Sequence, residues 1–306
     1  MSFSNDVRQE ISESISDKNK RFACLYGMLL FGKVLSKDMV CFQTESTIAA
    51  EQFRELFRAV FKQDITSREH IRKSGAVLYI FEITDVTLIE NIFTKYRLSE
   101  RERVIDSEII ATSSLGVFTA GVFLACGSVN DPSKEYHMEF TVPEEGLASQ
   151  LSALLGDIGV TTGTVIRRGQ YVVYIKGSES IEDTLTFIGA QQCTLELMNV
   201  KIYKDVRNKA NRIANCDAAN IDKVVGAAMK QIEDITYIQK IKGLDYLSDE
   251  LRELAELRLD NVDMSLQEIG DSLSEPISRS GVNHRFRKLA KIADELRNEV
   301  KINEKQ

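Results

Sequence analysis

The segment from residue 276 to residue 301 combines side chains that could contact a nucleic acid. Arginine suits guanine edges and asparagine suits adenine edges, and cationic side chains also bind phosphates. Apolar residues at Val282, Phe286, Leu289 and Ile292 predict a helix from about Ser278. We expect its remaining surface to present the groove-facing and phosphate-facing residues Arg279, Ser280, Asn283, His284, Arg285, Arg287, Lys288 and Lys291.

The elements before this segment would have to position it. Leucines and Ala255 share one face of a predicted helix from about Ser248 to Leu259. Ser265 followed by Glu268 predicts a capping box at the start of a second short helix, which Pro276 ends. A short helix, a compact turn and a basic helix indicate a helix-turn-helix, whose second helix enters the major groove. A plain helical bundle is the alternative.

A second basic run lies between Lys201 and Cys216. It contains Arg207, Lys209 and Arg212 among several asparagines, and we interpret 201–243 as a basic linker followed by a long helix. Cationic and amide side chains together suit phosphate and groove contacts. Asparagine near Asp217 could equally cap the next helix, and a solvated helix face is the alternative for either run.

The net charge of −7 is unusual for a DNA-binding protein, but the distribution of charge matters more than its sum. The two basic runs flank a strongly acidic segment at 244–275. We therefore expect localised phosphate contacts and double-stranded DNA as a partner.

The first two-thirds of the chain contain an internal duplication. Gly27 and Gly121 lead the matching runs GMLLFGKVL and GVFLACGSV, which are apolar on nearly every side. Helices of this kind must be buried, and their small residues would let them pack closely side by side about a pseudo-twofold axis. Around them, alternating strands and helical stretches predict helix, hairpin, helix, hairpin, helix in each copy.

This organisation resembles the LAGLIDADG homing endonucleases, and it predicts an α+β fold with two αββαββα halves and antiparallel sheets. The resemblance implies a catalytic acid at the end of each central helix, just before a final glycine. Those positions fall on Gly32 and Cys126, neither of which can supply an oxygen ligand for Mg²⁺. We therefore expect no catalytic residues, although Asp38 and Asp131 follow closely enough to keep an active nuclease as a competing hypothesis.

Basic residues also occur in the predicted hairpins. They are Arg68, Arg72 and Lys73 in the first copy and Arg167 and Arg168 in the second. Arg68, His70 and Arg72 alternate, so we expect them on one face of the sheet. That face could contact DNA or a protein partner, or it could simply be solvated.

Other chemistry has no support in the sequence. The five cysteines are widely spaced without a CxxC pair, and the three histidines do not form a metal-ligand pair. Nucleotide-binding and hydrolase motifs are missing, so we expect neither a metal nor a cofactor. The sequence contains no apolar run of membrane-spanning length and no N-terminal secretory signal, which predicts a cytoplasmic protein without membrane contacts.

Four stretches together resemble the WhiA family of sporulation and cell-division regulators. They are FLACGSVNDPSKEYHMEF, DVRNKANRIANCDAAN, LRELAELRLDN and PISRSGVNHRFRKL. The resemblance implies a degenerate LAGLIDADG-like domain joined to an all-α helix-turn-helix domain. It also implies nucleoid-associated DNA binding without nuclease activity. An alternative is a scaffold whose large domain binds a sigma factor or a cell-division protein.

We place the domain boundaries from these patterns. The N-terminal helix occupies 1–20, and the LAGLIDADG-like domain occupies 21–200 with halves at about 21–97 and 108–195. The basic linker and long helix occupy 201–243, the helix-turn-helix domain 244–297 and a tail 298–306.

Overall fold

The computed structural model describes residues 2–110 and 114–303, with side chains described as far as residue 299. The chain forms two compact units that divide between Asp205 and Val206. The last predicted tail residues, 304–306, lie outside the described part, as does the side chain of Lys301.

The first unit contains helices and strands in the order that the duplication predicts. Its elements are α1 (Phe3–Ser14), α2 (Lys18–Leu30), β1 (Val34–Leu35), β2 (Val40–Thr44), α3 (Thr47–Phe61), β3 (Arg68–Ile71), β4 (Val77–Ile83), α4 (Val86–Lys95), α5 (Leu115–Cys126), β5 (Gly127–Val129), β6 (Met138–Val142), α6 (Glu145–Asp157), β7 (Gly163–Arg167), β8 (Gln170–Ile175) and α7 (Ser178–Phe187). The α8 helix (Gln191–Lys242) follows and contains the division between the units.

Two antiparallel four-stranded sheets confirm the predicted duplication and fold class. Their strand orders are β1-β2-β4-β3 and β5-β6-β8-β7, which correspond element by element. The register corresponds as well, because Phe42 pairs with Phe81 in the first sheet as Phe140 pairs with Val173 in the second. Side chains along a strand alternate between the helix-covered face and the open face of the sheet. These four lie on the helix-covered face and are buried in one core.

The central helices α2 and α5 pack against each other through glycine. A Cβ atom at Gly121 would overlap the backbone oxygen of Cys24, and one at Gly27 would overlap the backbone oxygen of Phe118. Two helix backbones can approach this closely only where neither carries a side chain at the crossing point. The close packing predicted from the matching glycines is therefore confirmed.

Arg103, in the segment between the two copies, binds the end of α2. Arg103 donates hydrogen bonds to the carbonyl oxygens of Leu30 and Gly32, and its guanidinium lies 3.0 Å from a carboxylate oxygen of Glu144. Burial lowers the pKa of Arg103, with Glu144 opposing that shift. A cation at this position satisfies the terminal carbonyls of the helix and complements its dipole.

The α1 helix is shorter than predicted, because it ends at Ser14 and α2 begins at Lys18. Its Glu10 accepts hydrogen bonds from the backbone N–H groups of Gln192 and Cys193, at 2.6 and 3.0 Å. These donors belong to the first turn of α8, which has no partners for them within the helix. Glu10 therefore caps a helix that lies far away in the sequence.

The basic run between Lys201 and Cys216 is not a linker, which corrects the prediction. Residues 191–242 form one continuous helix, so no helix begins near Asp217 for asparagine to cap. Helix-breaking residues are missing from this stretch except for Gly226, which is tolerated in a helix interior. The other predicted domain boundaries remain predictions.

The second unit packs the end of α8 against three further helices. These are α9 (Asp249–Asp260), α10 (Leu266–Ser272) and α11 (Arg279–Asn303), so α11 continues beyond the predicted start of the tail. Their shared core contains Ile235, Leu254, Ile269 and Phe286. Arg297 connects α11 to α8 through an ion pair with buried Asp234, at 2.8 Å.

In the described ranges, no helix has both the length and the apolar character needed to cross a bilayer.

Replacement of Gly121 by alanine should destabilise the first unit by about 2 kcal/mol or more, because the added methyl group forces two helix backbones apart. Thermal and urea unfolding of the full chain would measure this loss. Gly156→Ala is the matched control, since nothing lies within 4 Å of its added Cβ and alanine favours the helix interior. Equal stability of the two variants would contradict close packing at the crossing point.

Candidate nucleic-acid interface

The turn that precedes α10 is held by a buried arginine. Arg258, which is 2% exposed, donates hydrogen bonds to the carbonyl oxygens of Val262 and Met264, at 3.2 and 2.7 Å. Its guanidinium carbon also lies 5.4 Å from the centre of the Phe286 ring on α11. Burial lowers the pKa of Arg258. One side chain thus connects α9, the turn and the predicted recognition helix.

The start of α10 has the predicted capping box. The Ser265 hydroxyl accepts a hydrogen bond from the Glu268 N–H, and the Glu268 carboxylate accepts one from the Ser265 N–H at 2.8 Å. Hydrogen bonding with Ser265 lowers the pKa of Glu268. Because both donors would otherwise lack a partner, this arrangement fixes where α10 begins.

A glycine allows the chain to return over α10 before α11 begins. The Ile277 N–H donates to the carbonyl oxygen of Gly270 at 3.1 Å, and a Cβ on Gly270 would overlap the carbonyl oxygen of Ile277. The Ser278 hydroxyl then accepts a hydrogen bond from the N–H of Gly281, in the first turn of α11. The compact turn of a helix-turn-helix therefore depends on one position without a side chain.

The outer face of α11 is polar, basic and exposed. Val282, Phe286 and Leu289 are buried in the core of the unit. Seven of the eight predicted contact residues are exposed on the other side or at the helix start: Arg279, Ser280, Asn283, His284, Arg287, Lys288 and Lys291. Lys291 also lies 3.8 Å from Glu295, an exposed pair of the kind that contributes little stability.

Arg285 has a different environment, which requires a revision of the predicted set. Its side chain is 15% exposed and forms an ion pair with Glu250 at 3.2 Å. Helical periodicity could have indicated this, because Arg285 lies three residues after Val282 and four before Leu289. The apolar stripe also differs at its end, where Ala293 and Leu296 are buried and Ile292 is partly exposed.

The basic residues of α8 fall into two groups. Lys201 forms an ion pair with Glu182, and Lys204 donates to the Pro132 carbonyl oxygen, so both are engaged within the first unit. Arg207, Lys209 and Arg212 are exposed. In the part of the chain that the structure describes, none of these three forms an ion pair, which leaves their charge available for a partner.

The basic residues on the open sheet faces are largely neutralised by carboxylates. Arg68 pairs with Glu82 at 3.1 Å, Arg72 with Glu45 at 2.7 Å and Arg167 with Glu139 at 2.9 Å. Lys73 and Arg168 lie at the hairpin turns and are exposed. Arg168 has a positive φ and precedes Gly169, which is the backbone conformation of a tight two-residue turn.

The ends of α2 and α5 bring together the two positions that the LAGLIDADG resemblance assigns to catalytic acids. Gly32 and Cys126 line a cavity of about 380 Å³ together with Lys33 and Gln43. The Cys126 thiol donates to the Val122 carbonyl oxygen, and burial raises its pKa, so it is a packing group rather than a ligand.

Carboxylates do not gather at this position. Residues 2–110 and 114–303 contain no group of three or more His, Cys, Asp or Glu side chains arranged to hold a metal ion. Asp131 instead accepts a hydrogen bond from the Ser133 N–H at 2.8 Å, and hydrogen bonding with Ser133 lowers its pKa.

Family models match the second copy of the first unit and most of the second unit. The family model of the WhiA LAGLIDADG-like domain matches residues 115–207, and that of the WhiA C-terminal HTH domain matches residues 210–293. Similar full-length proteins have the name probable cell division protein WhiA. The protein from Thermoanaerobacter sp. strain X514 is 34% identical, with 97% of this chain and 98% of that one covered. The Carboxydothermus hydrogenoformans protein is 37% identical, with 97% and 99% covered.

A solved structure has the same fold. The crystal structure of full-length WhiA from Thermotoga maritima superimposes with a TM-score of 0.59 at 23% sequence identity. The match covers 96% of this chain and 99% of that one.

Replacement of Arg258 by methionine should loosen the turn before α10, because the carbonyl oxygens of Val262 and Met264 lose their donor. We expect a loss of about 1–3 kcal/mol in the stability of the second unit. Hydrogen exchange measured on the full chain should accelerate at residues 262–268. Arg252→Met is the control, since Arg252 makes only exposed pairs with Asp245 and Asp249. Unchanged exchange at 262–268 in the Arg258 variant would refute this role.

Proposed function

The chain belongs to the WhiA family, and from this premise we propose that it is a sequence-specific DNA-binding protein that regulates transcription. The observation that carries the proposal is the exposed polar face of α11 in a helix-turn-helix. Arg279, Asn283, His284 and Arg287 would read base edges in the major groove, and Lys288 and Lys291 would contact phosphates. Arg285 is left out because Glu250 engages it.

The exposed basic residues of α8 support a second contribution to binding. Arg207, Lys209 and Arg212 carry charge that no described carboxylate neutralises. Such residues would add phosphate contacts that do not depend on base sequence. They therefore raise affinity for any duplex, whereas α11 supplies the preference for one sequence.

We also propose that the chain binds DNA without cutting it. Gly32 and Cys126 occupy the positions where the LAGLIDADG resemblance places catalytic acids, and neither can hold Mg²⁺ through oxygen. The names of the relatives support a role in cell division, and the family resemblance adds sporulation or chromosome segregation. We place the protein in the cytoplasm, associated with the nucleoid, where these processes use DNA.

Asn283→Ala should weaken binding to the preferred duplex by about 1–3 kcal/mol, because a bidentate contact to one base is lost. The duplex would come from fragments enriched by crosslinking the protein to the chromosome, and affinity would be measured by fluorescence anisotropy. Asn298→Ala is the matched control, since Asn298 is an exposed asparagine farther along the same helix. Equal affinity of the unaltered protein for enriched and random duplexes would contradict sequence-specific binding.

Lys288→Ala should weaken binding to every duplex by a similar factor and reduce the slope of log affinity against log salt by about 1. Titrations at several salt concentrations would measure the slope. Lys240→Ala serves as control because Lys240 is exposed near the end of α8, beside Arg297 and so at the far end of α11 from the proposed contacts. An unchanged slope for the Lys288 variant would remove this residue from the phosphate contacts.

The alternative role of the first unit is to bind a protein, such as a sigma factor or a cell-division component. Ion pairs neutralise Arg68, Arg72 and Arg167, which makes the open sheet faces less suited to phosphates. Ile80 and Val165 are apolar residues that share these faces with Arg68 and Arg167, which suits a protein surface better than a phosphate-binding one. A Lys73→Glu and Arg168→Glu double variant should then keep its DNA affinity, whereas a loss of affinity would assign this face to DNA.

A further inference from the structure

A groove in the second unit combines exposed apolar side chains with a basic rim. It has a volume of about 510 Å³ and lies between one side of α8 and the turn that precedes α10. Val224, Val225 and Met229 of α8 and Val262 of the turn contribute to its lining. Each of these side chains is at least half exposed, with Met229 at 66%. A continuous apolar patch of this kind, rimmed by polar groups, is typical of an interaction site.

Two residues of the groove lining have buried polar atoms without described partners. Arg258 Nε and Gln231 Oε1 are both buried, and neither has a hydrogen-bond partner among the described residues. One of these atoms needs an acceptor, and the other needs a donor. Burying such atoms unpaired is costly, and because both are shielded from solvent, an occupant could pair with them only if these side chains turned towards the groove.

The charge around the groove is mainly positive. Lys223 and Arg279 lie in its lining, in addition to Arg258, whereas Asp263 is the one acidic side chain in the lining that the structure describes. An occupant with carboxylates would therefore be complementary to the rim. A polypeptide with apolar side chains would also cover Val225 and Met229, which a simple organic anion would leave exposed.

We propose that this groove binds an acidic, apolar segment of a partner protein. The side formed by α8 extends from Lys223 to Gln231, which is about 12 Å at the rise of an α-helix. That length fits roughly two turns of a bound helix, with apolar side chains against Val225 and Met229. The groove includes Arg279 at the start of α11, so the bound segment would lie beside the proposed DNA contacts.

The experiment uses the full chain and a library of random 12-residue peptides displayed on phage. Peptides would be selected on the unaltered protein and counter-selected on Met229→Glu, which places a negative charge on an exposed apolar position. The enriched peptides should contain leucine or phenylalanine at helical spacing together with aspartate or glutamate. A synthetic copy of an enriched peptide should bind Met229→Glu at least tenfold more weakly and Lys223→Glu at least threefold more weakly.

Ile213→Glu is the matched control, because Ile213 is an exposed apolar residue of the same helix that is not part of the groove lining. Its peptide affinity should remain within twofold of that of the unaltered protein. DNA affinity of Met229→Glu should also be unchanged, which separates this proposal from the proposed DNA binding. A tenfold loss of DNA affinity in Met229→Glu would assign the groove to nucleic acid and overturn the proposal.

Three other outcomes would also overturn it. They are a lack of enriched peptides, enrichment of basic peptides, and equal binding of the enriched peptides to Met229→Glu. Sedimentation of the full chain tests whether a second copy of this chain occupies the groove. Concentration-dependent dimerisation that Met229→Glu abolishes would show that a second copy of this chain fills the groove instead.

Discussion

The first unit depends on the close approach of two helix backbones at Gly27 and Gly121. The overlap that a Cβ would cause on either side means that α2 and α5 can cross there only without side chains. This crossing brings the ends of the two helices together and joins the two copies, each of which has its own four-stranded sheet. Gly32 and Cys126 lie at these ends, at the positions where the LAGLIDADG resemblance places catalytic acids. Neither residue has a side-chain oxygen ligand for a metal ion, which is the basis of our proposal that the chain binds DNA without cutting it.

In the second unit, the equivalent constraint is that one side of α11 must pack against the core while its outer face stays exposed. Apolar residues such as Val282 and Leu289 bury one side in the core, and Arg258 fixes the turn in front of it. Arg297 fastens the other end of the helix to Asp234. Positive charge is consequently concentrated on one exposed helix face of a chain whose net charge is −7. Because α11 is held rigidly, it loses little conformational freedom on binding. More of the free energy of its contacts therefore contributes to affinity.

Much of this architecture could be predicted from the sequence because the signals were local or repeated. The matching glycines predicted the helix pair, the alternating strands predicted the sheets, and Ser265 with Glu268 predicted the cap of α10. The contacts that escaped prediction are mostly long-range. Glu10 caps a helix that begins at Gln191, and Arg258 looked like one polar residue within a leucine-rich helix. The prediction of a linker in the basic run of α8 is wrong, because arginine and asparagine can indicate nucleic-acid contact but say little about where a helix begins.

Hydrogen exchange of the full chain, free and bound to duplex fragments enriched by chromosome crosslinking, would test the central claim most directly. Our account predicts that DNA protects the first half of α11 and the exposed basic stretch of α8, around 207–212. Exchange in the hairpins formed by β3 with β4 and by β7 with β8 should be unchanged. Protection confined to those hairpins, with α11 unaffected, would contradict the account, because it would show that the duplex lies on the sheets as in an endonuclease.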